Sequence, residues 1–125
     1  MIAGILGLLA LVPQYLLEEK VGLDSPPAIT HPEFFYGFLG VAIAFQLVFL
    51  VISTDPQKYR PMILPSIVEK FSFGLAVVAL VLTGRVGGPI VIGATLDLVL
   101  GALFIVSWFK LAAADDFETP SQSVH

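Results

Sequence analysis

Four apolar blocks divide the chain: Met1 to Leu17, Phe34 to Ile52, Ile67 to Thr83 and Pro89 to Phe109. Each approaches the ~20 residues that a helix needs to cross a ~30 Å hydrocarbon core. In a chain of 125 residues, 57% hydrophobic and 13% charged, little polar surface is left for a water-soluble fold. The mean hydropathy of +0.93 points the same way. The expected fold class is therefore all-α, an integral membrane four-helix bundle over residues 1–111. The remainder, AAADDFETPSQSVH, is polar and aperiodic and reads as a disordered cytoplasmic tail over 112–125.

The first block has no basic n-region and no small-x-small cleavage site before Glu18, so it is expected to be a retained span. The chain has no cysteine, which excludes disulfides, thiolate metal sites, iron–sulfur clusters and covalent haem. Its net charge of −4 sits largely in Glu18, Glu19, Asp115, Asp116 and Glu118, which argues against a nucleic-acid partner. The partners expected are the lipid bilayer and either another membrane protein or a second copy of the chain. No cofactor is predicted.

The Lys and Arg positions predict orientation. Lys58, Arg60, Lys70 and Lys110 fall on one side of four spans, Lys20 and Arg85 on the other. The positive-inside rule then places both termini in the cytoplasm, in an inner membrane. Aromatic anchors agree, with Tyr15, Phe35 and Tyr36 at the outer interface and Tyr59 and Trp108 at the inner one. The outer loop is stiffened by Pro26, Pro27 and Pro32. The short connection GRVGGP predicts that the third and fourth spans pack as an antiparallel hairpin.

Small residues mark faces where helices can approach closely in lipid. Gly93, Asp97 and Gly101 fall on one stripe of the fourth span. In the third span, Ser66, Glu69, Ser72, Ala76, Ala79 and Thr83 form a seam of roughly heptad period. Gly40 and Ala44 in the second span, and Gly4 and Gly7 in the first, read similarly. Gln46, on another face of the second span, is expected to hydrogen-bond between helices.

Asp97 stands out, because a charged aspartate at the bilayer centre costs ~2.5–3.5 kcal/mol on insertion scales. With no charge partner evident at its level, it would sit as a neutral acid facing the bundle, bonded to a neighbouring helix through Ser72 or Thr95. The alternative is a functional carboxylate, with Arg85 reaching down from the outer end as its partner. Glu69 has a plainer reading: Ser66 and Glu69 form S-x-x-E after Pro65, a capping box, with Lys70 snorkelling to the interface. Thr30 and Glu33 form T-x-x-E around Pro32 in the same way. His31 and Glu33 are an incomplete metal-ligand set, so no metal site is predicted. Neither His31 nor His125 lies within a span, and bis-histidine haem is unsupported.

Taken together, HPEFFYGFLG, RPMILPSIVEK and DLVLGALF resemble a group of small bacterial four-span membrane proteins without assigned activity, with a more distant similarity to DoxX-like proteins. The resemblance runs from Thr30 to Lys110 and implies a four-helix membrane fold but no activity. Small multidrug transporters share the size but place an essential carboxylate in the first helix, where this chain has none. Fluoride channels rely on asparagine and a first-helix arginine; here there is no Asn and no Arg before Arg60.

Two functions follow. The favoured one is a structural or accessory subunit, sooner than an enzyme, binding another membrane protein or lipid. The alternative is a small proton-coupled transporter or membrane enzyme using Asp97, with Glu69. The lack of a second deeply placed ionisable group favours the first, and no catalytic nucleophile–base pair is visible.

Overall fold

The computed structural model describes residues 1–24 and 30–118. Helix α1 spans Ile2–Leu11 and runs into a 3₁₀ turn over Val12–Leu16, where Pro13 withdraws an amide from the α pattern. At Leu17 the chain leaves helical geometry, and the short α2 (Glu18–Asp24) departs at 100° from the Ile2–Leu16 stretch. Then come α3 (Pro32–Thr54), a 3₁₀ turn (Arg60–Met62), α4 (Ile63–Leu82) and α5 (Pro89–Glu118). The described residues are all-α. Three helices are long and apolar enough to cross a membrane, and the bent first segment makes a fourth if it counts as one span.

The bundle is built from two antiparallel pairs. The α4–α5 hairpin has the most extensive packing, α1 lies along α3, and α3 meets α4 over a smaller area. Leu39, Ala42 and Phe49 of α3, Ile63 and Val77 of α4 and Ala94 of α5 are buried. Leu47, Val68, Leu75, Ile92, Leu96 and Phe109 point outward, as lipid-facing side chains do.

Gly4 and Gly7 face α3 as expected. A Cβ at Gly4 would come within 2.8 Å of the Gln46 carbonyl oxygen, and one at Gly7 would strike the Gln46 side chain. Gln46 does not bond between helices, however. Its Nε2 donates to the Ala42 carbonyl of its own helix at 3.0 Å, and Gly40 and Ala44 are exposed.

Both capping boxes are absent. Pro32 occupies the first position of α3, which makes His31 the cap residue and Glu33 the second helical residue, and no side-chain cap bond forms. In α4 the helix begins before Pro65, because a first-turn residue has no intrahelical use for the N–H that proline lacks. Ser66 is consequently inside the helix, fully buried, and its Oγ donates to the Met62 carbonyl at 2.8 Å.

At the other end of α4, Gly84 takes φ 68°. Its N–H donates to Val81 O at 3.0 Å and that of Arg85 to Leu80 O at 2.9 Å, the paired bonds of a Schellman stop. The tight α4–α5 hairpin follows from that stop.

The α3–α4 connection grips the last turns of α5. Arg60 Nε donates to Trp108 O at 3.3 Å, and its guanidinium lies 4.0 Å from the Trp108 ring centroid. Arg60 also pairs with Asp115 at 3.6 Å, and Gln57 donates to Leu111 O at 3.2 Å and to the Asp115 carboxylate. Residues 112–118, read from sequence as tail, continue α5 as helix. The expectations for Pro26 and Pro27, for His125 and for the tail from residue 119 onward lie outside the described residues.

Candidate functional site

The buried stripe of α4 runs Ile63, Ser66, Lys70, Gly74, Val77. It has the heptad-like spacing expected of a seam but shares only Ser66 with the residues anticipated; Ser72, Ala76, Ala79 and Thr83 are exposed. One residue of offset turns a helix face by about 100°. Here the offset puts Lys70, not Glu69, at the centre of the contact with α5.

Lys70 is the residue that sequence reasoning misplaced. Starting α4 at Ile63 sets it roughly 10 Å inside the helix at 1.5 Å per residue, too deep for a simple escape to the interface. Its side chain is 5% exposed. Nζ donates to Asp97 Oδ1 at 2.9 Å, lies 3.5 Å from Glu69 Oε2 and sits 5.0 Å from the Phe49 ring centroid. Phe49 in turn meets Phe104 of α5 edge-to-face with centroids 5.1 Å apart. Asp97 therefore faces the helix interface as anticipated, but with a cation as its partner. The bonds expected through Ser72 or Thr95 are not made: Thr95 Oγ1 donates to the Val91 carbonyl at 2.8 Å, and Ser72 is exposed.

Two glycines let the pair form. A Cβ at Gly74 would approach Leu98 to 2.6 Å, and one at Gly101 would approach Phe71 to 2.8 Å and Lys70 Cβ to 3.3 Å. Gly93, the remaining member of the anticipated stripe, faces open space, and Ala94 takes the buried position instead. Glu69 Oε2 is buried and has no hydrogen-bond partner, although it lies in ion-pair range of Lys70. The distance satisfies Coulomb attraction, while the geometry falls short of a directed bond.

The other candidates lie apart from this cluster. Arg85 is exposed in the turn after α4 and forms no ion pair with a described residue. His31 Nδ1 and Glu33 Oε1 are 3.4 Å apart at the start of α3, on side chains 69% and 64% exposed. Among the described residues no third metal-ligand type joins them.

Lys70 had one legible signal. It and Asp97 lie on opposite sides of the Gly84–Gly88 turn, 12 residues before Leu82 and 8 residues after Pro89, so a hairpin sets them about one turn apart, a gap that a lysine side chain spans. Chemically, the cluster can hold two helices together by charge, or hold a proton among two carboxylates and an amine. Compared with known proteins, the chain matches no family model, no curated protein and no solved structure. Fold and site together define a class: an all-α protein with apolar helices of membrane-spanning length and an ion cluster between two of them.

Proposed function

We propose that this chain is a small polytopic inner-membrane protein serving as a structural or accessory subunit, one that binds another membrane protein or lipid. The observation that carries this reading is the closure of the Lys70–Asp97 pair. The lysine is surrounded by Asp97, Glu69 and the Phe49 ring and is almost fully buried. Neither the cleft lined by Tyr15 and Tyr36 nor the small cavity lined by Val77 and Leu98 includes any of the three charged residues. A closed pair joins helices; a transport site needs an approach for its cargo. Orientation with both termini cytoplasmic is part of the proposal. It rests on Lys58, Arg60 and Lys110 against Lys20 and Arg85, Lys70 being buried and no longer counting toward either side.

A second reading is favoured by the unbonded Glu69 Oε2. A buried carboxylate oxygen without a donor, beside a lysine and a second carboxylate, is a place to receive a proton. This is the proton-coupled transporter or membrane enzyme that uses Asp97.

Two measurements separate them. In vesicles carrying an internal pH dye, an accessory subunit leaves an imposed pH gradient unchanged relative to protein-free vesicles. Gradient decay that depends on the wild-type protein and disappears in Asp97→Asn would overturn the accessory reading. On extraction into lipid nanodiscs, the accessory subunit is expected in a fixed-stoichiometry assembly with protein or lipid. A 13.4 kDa monomer with no partner protein, surrounded only by freely exchanging disc lipid, would count equally against it.

A further inference from the structure

The bend at Leu17 opens a cleft of about 630 Å³ at the end of the molecule opposite Arg60, bounded by α2, the 3₁₀ turn before it and the start of α3. That is within the size range of small-ligand sites, roughly 300–1,000 Å³. Tyr15 and Tyr36 form one wall, their rings stacked with centroids 5.7 Å apart and planes 27° from parallel. The Tyr36 hydroxyl donates to Glu18 Oε2 at 2.6 Å, which fixes the carboxylate beside the rings. Glu19 also lines the cleft, and Leu16 and Leu23 give it an apolar rim.

Lys20, the adjacent cation, is taken by Asp24 at 3.0 Å. Among the described residues no cation pairs with Glu18 or Glu19. The cleft thus presents uncompensated negative charge next to two aromatic rings and aliphatic side chains. An inorganic cation would use the carboxylates and gain nothing from the rest of the wall, and Ca²⁺ would want some 6–8 oxygen ligands. A cation carrying methyl or methylene groups uses all of it: its charge meets the carboxylates, its carbon surface the rings and leucines.

We propose that this cleft is a binding site for an organic ammonium group, quaternary or a protonated amine, presented by a free small cation or by a phospholipid headgroup. It stands on observations independent of the Lys70–Asp97 cluster and of the accessory reading.

The test uses the full chain in nanodiscs of phosphatidylglycerol, which carries no ammonium group, titrated with tetramethylammonium chloride. The readout is the ring resonances of the three tyrosines, of which Tyr59 lies at the far end and serves as reference. Tyr15 and Tyr36 are expected to shift saturably while Tyr59 does not, and sodium chloride at equal concentration is expected to leave all three unmoved. Tyr15→Leu and Glu18→Gln should each weaken binding by about tenfold, with helical circular dichroism unchanged. In phosphatidylcholine discs, shifts already present without added cation identify the headgroup as the source; an unchanged titration identifies a soluble cation. The proposal fails if Tyr15 and Tyr36 move no more than Tyr59 or respond equally to sodium. It also fails if folded variants bind as the wild type does. Should either variant misfold, the wild-type contrast between tetramethylammonium and sodium decides alone.

Discussion

Asp97 and Lys70 show how much a single side chain's partner changes its meaning. Alone, a mid-span aspartate invites a catalytic or transport reading; 2.9 Å from a buried ammonium, it is half of a neutralised pair. Such pairs are costly to desolvate, and much of their apparent value is the penalty of leaving one member alone. Asp97→Leu should therefore cost about 3–5 kcal/mol in a reversible detergent-unfolding measurement. Asp97→Asn should cost less, because its amide oxygen can still accept from the Lys70 ammonium where Asp97 Oδ1 does now. In a Glu69→Gln background, which leaves no carboxylate behind, the double variant Lys70→Met/Asp97→Leu removes the remaining charges at similar volume and should recover most of the loss, ending near the wild type or above it. A double variant as unstable as Asp97→Leu would show that the interface depends on something other than charge balance.

At the scale of elements, close approach decides which glycines matter. A methyl group at Gly4 meets the Gln46 carbonyl oxygen at 2.8 Å, a backbone atom that cannot swing aside. Gly4→Ala should therefore push α1 away from α3, costing about 1–3 kcal/mol as overpacking does. Faster amide exchange confined to α1 would report it. Gly93 sits in a helix with nothing within 4 Å of its would-be Cβ, so Gly93→Ala should instead stabilise by up to ~1 kcal/mol through helix propensity. Both glycines looked alike in the sequence, each on a stripe of small residues. Equal effects from the two substitutions would contradict the packing described.

For the whole molecule, the alternation of helices places residues 55–62 and the end of α5 at one end. Glu18, the start of α3 and Arg85 lie at the other. Because the chain has no cysteine, Lys58→Cys and Arg85→Cys give single labels at the two ends. A membrane-impermeant maleimide added to right-side-out vesicles should label Arg85→Cys and reach Lys58→Cys only after the membrane is opened. Labelling of both from outside would overturn the proposed topology. The Arg60 clasp on Trp108 and Asp115 predicts in addition that the end of α5 moves with the α3–α4 connection and not as a free tail.

Helix class, the lengths of the apolar blocks, the α4–α5 hairpin and the Gly4–Gly7 contact face were legible in the residues themselves. Each depends on local chemistry: hydropathy over about 20 residues, a glycine at a helix stop, a missing side chain. The site was legible only in part. Asp97's inward face could be read from its small neighbours, but Lys70's role could not, because it depends on where α4 begins and on the helix's rotation. Pro65 permits a helix start on either side of it, and α4 begins at Ile63, directly after the 3₁₀ turn at Arg60–Met62. That choice carried Lys70 inward and Ser66 into the core. The Tyr15–Tyr36 cleft likewise needed residues far apart in sequence to meet across a bend. Tertiary structure decided these features because helix phase and long-range contact are fixed jointly, by all the neighbours at once, while composition and spacing describe one helix at a time.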